Sequence, residues 1–204
     1  MATFWEGRER MQTVLPSRVI AGVVVPRNRV VTLVLVSGFA LLTALAAQIR
    51  IPLPFTPVPI TGQTFAVLLS GAALGAGAGA ASQALYVVLG LVFPFYAGGT
   101  GGWQHATGAT GGFLIGFVAA AWIVGKLAEN RQDRSVATAV PAFLTGTVTI
   151  YLFGLPWLAH TLGVSWVRAA ELGLAPFVLG DLIKAVLAGI TLPAAWRITN
   201  RALS

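Results

Sequence analysis

No aspartate, glutamate, lysine or arginine occurs between Ile51 and Gly125. About a quarter of the residues in a soluble domain are charged, so a water-exposed fold cannot be built from such a run. The run must cross a membrane or be wrapped in chain that does. The whole sequence agrees: 56% of its 204 residues are hydrophobic and 9% are charged, and the mean hydropathy is +0.82. An integral membrane protein of one compact domain follows. The length leaves no room for a separate soluble catalytic domain.

A bilayer-spanning helix needs roughly 20 apolar residues, and fewer where neighbours shelter it. Six segments qualify: residues 30–48, 61–75, 80–93, 112–127, 136–160 and 174–198. The expected fold is therefore an all-α bundle of six transmembrane helices in residues 30–204, preceded by an extension at 1–29. The second and third segments are parted only by the glycine-rich "GAALGAGAGAA". The apolar patch "TVLPSRVIAGVVVP" is interrupted by Pro16 and Arg18 and is too short to span, and no signal peptide is expected there.

The net charge of +7 reflects basic residues that flank apolar segments. This is a topology signal and not a nucleic-acid patch. Arg8, Arg10, Arg18, Arg27 and Arg29 lie before the first segment. Lys126, Arg131 and Arg134 follow the fourth, and Arg197 and Arg201 lie at the end. With six crossings these groups share one side, against Arg50 and Arg168 on the other. The positive-inside rule then places both termini in the cytoplasm.

Two outer loops stand out. "RIPLPFTPVPITGQ" carries Pro52, Pro54, Pro57 and Pro59. Proline fixes φ and biases its predecessor towards extended backbone, so this is a stiff strap. "YAGGTGGWQHATGATGG" is long and uncharged. Its aromatic residues, Trp103 with Phe95 and Tyr96 just before, favour docking on something apolar over a free surface loop.

The groups able to do chemistry are few. Asp181 and Lys184 lie three apart in "VLGDLIKAVLAGI" and so share a helix face. A charge at the bilayer centre costs at least about 2.5–3.5 kcal/mol, so both must face the bundle interior or a wet cavity. One reading is a self-contained ion pair between helices. The other is a polar anchor for a ligand. A carboxylate only accepts and a lysine only donates, which suits a guest with N–H donors and a carbonyl or carboxylate acceptor. Counted from Leu174, Asp181 lies roughly 10 Å into the membrane at 1.5 Å per residue. Gln63, Gln83 and Tyr86 could contact the guest or could join helices. Arg50 could reach headgroups or draw in an anion. His105 and His160 have no partners at ligand spacing, so no metal site is expected. Cysteine is absent. No nucleophile, zinc-hydrolase or P-loop motif occurs, so neither an enzyme nor an organic cofactor is expected. Ala40-x-x-x-Ala44, Gly71-x-x-x-Gly75 and Gly112-x-x-x-Gly116 allow close helix packing, internal or with another subunit.

"RIPLPFTPVPITGQTFAVLLSGAALG", "ASQALYVVLGLVFPFYAGGTGG", "GATGGFLIGF" and "LGDLIKAVLAG", in that order, resemble BioY, the substrate-capture subunit of energy-coupling-factor biotin transporters. The resemblance runs from about Val30 to Arg201, with Ala109 standing where the family commonly has proline. It implies six helices, cytoplasmic termini and a site for biotin near the outer face. The first outer loop, with Pro54, Pro57 and Pro59, would be its lid. Asp181 and Lys184 would form the family's D-x-x-K binding motif, and Trp103, Tyr86 and the strap would cover the apolar ring. Ala40 and Ala44 would pack on a membrane coupling (T) subunit, itself joined by two cytoplasmic ATPases. Two other functions compete: an autonomous transporter with Asp181 as proton carrier, and an intramembrane enzyme using the pair as acid and base.

Overall fold

Where water is absent, backbone N–H and C=O groups must be satisfied within the chain, and helices do this segment by segment. The computed structural model describes Pro16, residues 18–26 and residues 28–203. In chain order its elements are α1 (Ile20–Val24), α2 (Arg29–Gln48), β1 (Arg50–Ile51), β2 (Ile60–Thr61), α3 (Gln63–Leu74), α4 (Ala76–Val92), α5 (Trp103–Ala106), α6 (Gly111–Glu129), α7 (Val136–Leu162), α8 (Trp166–Gly173) and α9 (Val178–Leu203). Four of the described helices, α2, α6, α7 and α9, are long and apolar enough to cross a membrane. With 12 residues α3 is short, and α4 has 17.

The shortness of α3 is explained by its place. Nine of its residues, including Val67, Leu68 and Leu74, are buried. It packs against α2, α4, α6 and α9, so protein and not lipid surrounds it. Its backbone lies very close to its neighbours. A Cβ on Gly71 would strike the carbonyl of Ala121 on α6, and one on Gly79 would lie 2.7 Å from the Gly71 Cα. Only hydrogen at these positions lets the backbones of α3, α4 and α6 meet. The turn between α3 and α4 is a single residue, Gly75, whose φ of 85° suits glycine. The expected longer turn is absent, and α4 starts at Ala76 and not near residue 80, because the alanines and glycines that follow are good close-packing helix surface.

The proline strap closes as a hairpin. Arg50 pairs with Thr61 and Ile51 with Ile60, antiparallel. The Thr56 hydroxyl donates to the Leu172 carbonyl at 2.7 Å, which ties the hairpin tip to the end of α8. The short helices α5 and α8 were not expected from hydropathy, being too brief and too polar to register. The last helix also starts later than expected: residues 174–177 form a turn, and α9 begins at Val178.

At the end of the bundle remote from the hairpin, three segments are clasped together. Trp196 Nε1 donates to Asp133 Oδ2 at 2.5 Å. The Arg134 guanidinium lies 3.2 Å over the Trp196 ring, and its Nη2 donates to the Arg18 carbonyl at 2.8 Å. Burial pushes the Asp133 carboxyl above its usual range, against the opposing pull of Trp196 and Arg134. Packing reaches back to Val19, which is fully buried in the main core. The first 15 residues, with Arg8 and Arg10, lie outside the described residues, as does Arg27.

The glycine contact can be tested directly. Gly71→Ala is expected to lower stability by about 1–3 kcal/mol through overpacking, read as a lower Tm in detergent. Gly77→Ala, with nothing within 4 Å of its new methyl, is expected to leave the Tm unchanged or to raise it.

Candidate functional site

Between the hairpin and the bundle lies a cavity of about 660 Å³, including the part open to solvent. Val58 and Pro59 of the hairpin, Phe113, Leu114 and Phe117 of α6, Ile150 of α7 and Phe177 before α9 form apolar parts of its lining. Its ionic groups are Asp181 and Lys184. A concave, mostly apolar space with a few convergent polar groups is the usual form of a small-molecule site.

Asp181 is 5% exposed and is held from three sides. Lys184 Nζ donates to its Oδ1 at 3.0 Å. The Thr64 hydroxyl donates to the same oxygen at 3.3 Å, and accepts from Lys184 Nζ at 2.9 Å. The Tyr151 hydroxyl donates to Oδ2. Lys184 and Asp181 are thus joined twice, directly and through Thr64 on α3. Because α9 begins at Val178, Asp181 stands in its first turn. The positive end of the helix dipole favours an anion there. The expected depth of seven residues into the helix is corrected accordingly.

A count of bonding capacity shows what remains free. A carboxylate offers about four lone-pair sites and an ammonium three donors. Three carboxylate sites and two ammonium donors are engaged by the bonds above. One acceptor and one donor are left, on adjacent groups that both line the cavity. The pair is neither turned to lipid nor closed on itself.

Of the other expected site residues, Gln63 and Pro59 line this cavity. Tyr86 does not line it but supports it: the Gln63 Nε2 donates to the Tyr86 hydroxyl at 2.6 Å, while Gln63 Oε1 accepts from Thr61 at 2.8 Å. Tyr86 is fully buried, edge-on to Tyr96. Gln83 is elsewhere. Its amide donates to Ser70 at 2.9 Å and to Ser82 at 3.1 Å and meets Thr43, joining α2, α3 and α4 inside the core. Trp103 is 70% exposed and lines neither this cavity nor the outer one described below, because the first turn of α5 points it outward. Tyr96 and His105 of the same loop take the inward positions and stack on each other at 5.1 Å. Pro57 borders a second, outer cavity, and Pro54 is exposed on the hairpin turn. Ala40 and Ala44 are 1% and 6% exposed, within the chain's own core. Expected as a docking face for another subunit, they face inward instead, because α2 turns its small residues towards α4 and its larger ones, such as Leu41 and Leu45, outward.

Thr64 and Tyr151 were missed by sequence reasoning. Thr64 lies one residue after Gln63, and Tyr151 is the sole tyrosine of its segment, within an otherwise apolar run. A search for hydroxyls one helix away from a buried acid would have raised both.

Fold and site together define a multi-pass protein of the cell membrane. A family model described as the BioY family matches residues 17–201. A relative from Pyrococcus horikoshii, described as a probable biotin transporter BioY, is 40% identical over 157 residues, covering 76% of this chain and 90% of its own. The biotin transporter BioY of Rhizobium etli is 35% identical over 167 residues, covering 78% and 89%. That of Rhodobacter capsulatus is 40% identical over 167 residues, covering 74% and 85%. A crystal structure of the S-component for biotin from an ECF-type ABC transporter shares the fold with a TM-score of 0.75 at 24% identity, covering 83% of this chain and 92% of that one. The chain belongs to the BioY family.

Removing one partner of the buried pair should be worse than removing both. Lys184→Ala is expected to cost about 3–5 kcal/mol by leaving the carboxylate underpaired. The double variant Asp181→Asn with Lys184→Met should regain most of that loss. Thermal unfolding in detergent at neutral pH reads both.

Proposed function

We propose that this chain is the biotin-binding subunit of an energy-coupling-factor importer, and that the capped cavity is its site. The observation that carries the reading is the residual bonding capacity of the Asp181–Lys184 pair. One free acceptor beside one free donor matches one edge of a ureido ring, where an N–H adjoins the carbonyl. Asp181 accepts from that N–H and Lys184 donates to the oxygen. Phe113, Phe117 and Phe177 supply apolar surface for the sulfur ring, and Val58 and Pro59 close over it. Gln63 borders the ring's polar edge, held in place by Tyr86. Thr64 and Tyr151 hold the carboxylate in position by donating to its two oxygens. The family and its relatives, whose descriptions are of biotin transporters, support the choice of guest.

In this reading α2, α3, α4, α6, α7 and α9 make six crossings, with α3 and α4 shortened because protein and the hairpin complete their layers. The hairpin with Pro54, Pro57 and Pro59 is an outer lid. Both termini are cytoplasmic, with residues 1–29 as an extension of which the described part packs on the bundle. The gathering of Arg134, Arg131 and Lys126 at the clasp end supports this orientation. No motif on the chain uses ATP, so release inside depends on a membrane coupling subunit and two cytoplasmic ATPases. The protein binds and passes its guest without chemistry on it.

Titration of biotin into the purified protein is expected to show tight binding. Asp181→Asn and Lys184→Ala should each weaken it by several kcal/mol, since a desolvated partner is left bare. Thr64→Val should weaken it less, by about 1–2 kcal/mol. Unchanged affinity in both charge variants would remove the pair from the site. Uptake that survives loss of the ATPases yet stops with an uncoupler would replace the importer by a proton-linked carrier.

A further inference from the structure

A second cavity of about 730 Å³, a volume that includes open solvent, lies on the same end of the bundle and is more open than the first. Pro57, Thr100, Gly101, Gln104, His105, Gly108, Ala109 and Thr110 line it. His105 and Thr110 line both cavities, so the two spaces share one wall. That wall stands apart from the elements that hold Asp181 and Lys184: the pair is on α9, the shared wall on α5 and the turn before α6.

The outer cavity is built, not a gap left by a loose loop. Gly102 N donates to the Gly90 carbonyl at 2.8 Å, and Tyr96 N to the Thr100 carbonyl at 2.8 Å. Trp157 Nε1 on α7 donates to the Gly108 carbonyl at 2.8 Å. The Tyr96 hydroxyl donates to the Val87 carbonyl at 2.7 Å. The glycine-rich stretch is thereby pinned to α4 and α7 by its backbone.

Its lining carries no lysine, arginine, aspartate or glutamate. The two ring nitrogens of His105 are engaged by Thr100 Oγ1 at 3.0 Å and Thr110 Oγ1 at 3.3 Å, and burial lowers its pKa from the ordinary value. None of these lining side chains offers a cation to a carboxylate. An amide finds the exposed side-chain amide of Gln104, which offers it both a donor and an acceptor.

We infer that the outer cavity is a second subsite, which takes an uncharged, amide-linked extension on the carboxyl end of the guest. This rests on the proposed placement of the ureido ring at Asp181 and Lys184, which sends the acyl tail away from the pair, towards His105 and Thr110. Specificity then resides in the ring, and the tail is tolerated as acid or as amide. Amides of the vitamin with an amine, such as its ε-lysyl amide, are substrates for capture by the same chain.

The test is competition against labelled biotin on the purified protein, with unlabelled biotin and biotinyl-ε-lysine as probes. The lysyl amide is expected to compete within about tenfold of biotin. Gln104→Trp, at an exposed position on the rim, fills the outer cavity only. It should leave biotin binding within about threefold and weaken the lysyl amide by a further tenfold or more. No competition by the amide at saturating concentration, with biotin bound normally, overturns the subsite alone. Equal loss of both probes in Gln104→Trp overturns it too. Failure of biotin itself to bind the parent chain overturns both the subsite and the reading on which it rests.

Discussion

An ionised carboxylate survives among apolar helices only when its lone pairs are answered, and the arrangement around Asp181 follows from that requirement. Three donors reach it, from α9 itself, from α3 and from α7. These bonds fix the rotation of α9 about its axis and the height of α3 against it. They also stop one bond short of completion. A fully satisfied pair would be a structural rivet, and a poorly satisfied one would destabilise the fold. One unclaimed acceptor and one unclaimed donor, facing a hollow, leave the pair held in place but not closed on itself.

The hollow exists because α3 is short. A full-length helix there would fill the space that Val58, Pro59 and Thr61 occupy at its N-terminal end. Twelve residues suffice because α3 is enclosed by other helices, and enclosure in turn needs the near-contact of backbones at Gly71, Gly79 and Gly125. Small residues on one set of faces thus produce a cavity on another. The hairpin completes the layer with extended backbone that pairs where β1 meets β2 and is tied down through Thr56.

Much of this was legible from residue order. The charge-free run, the apolar helices, the extended backbone at the ends of the proline strap and the place of Asp181 and Lys184 beside a cavity follow from composition and spacing. Side-chain caps fix some helix starts: Asn28 accepts from Val31 N at 2.8 Å, and Ser135 from Thr138 N at 3.3 Å. The start of α9 was misread because residues 174–177 are apolar and a turn among them leaves no mark on hydropathy. Which way a residue faces was legible only where charge decided it. Gln83 and Trp103 could each have pointed inward or outward by composition. The rotation of α4 and the short turn of α5 decided, through packing that is non-local. The same holds for Ala40 and Ala44: small residues announce a close contact but not the partner.

The two ends of the bundle divide the physical labour. The hairpin end holds the cavity and the buried ion pair, with few charges outside it. The clasp end holds Asp133, Arg134 and Trp196, linking the residues before α2, the loop between α6 and α7, and the last turns of α9. The helices that carry Tyr151, Asp181 and Lys184 are therefore anchored at one end while their other ends frame the hollow. Bonds that fix α7 and α9 far from the cavity reduce the ordering a guest must impose when it enters.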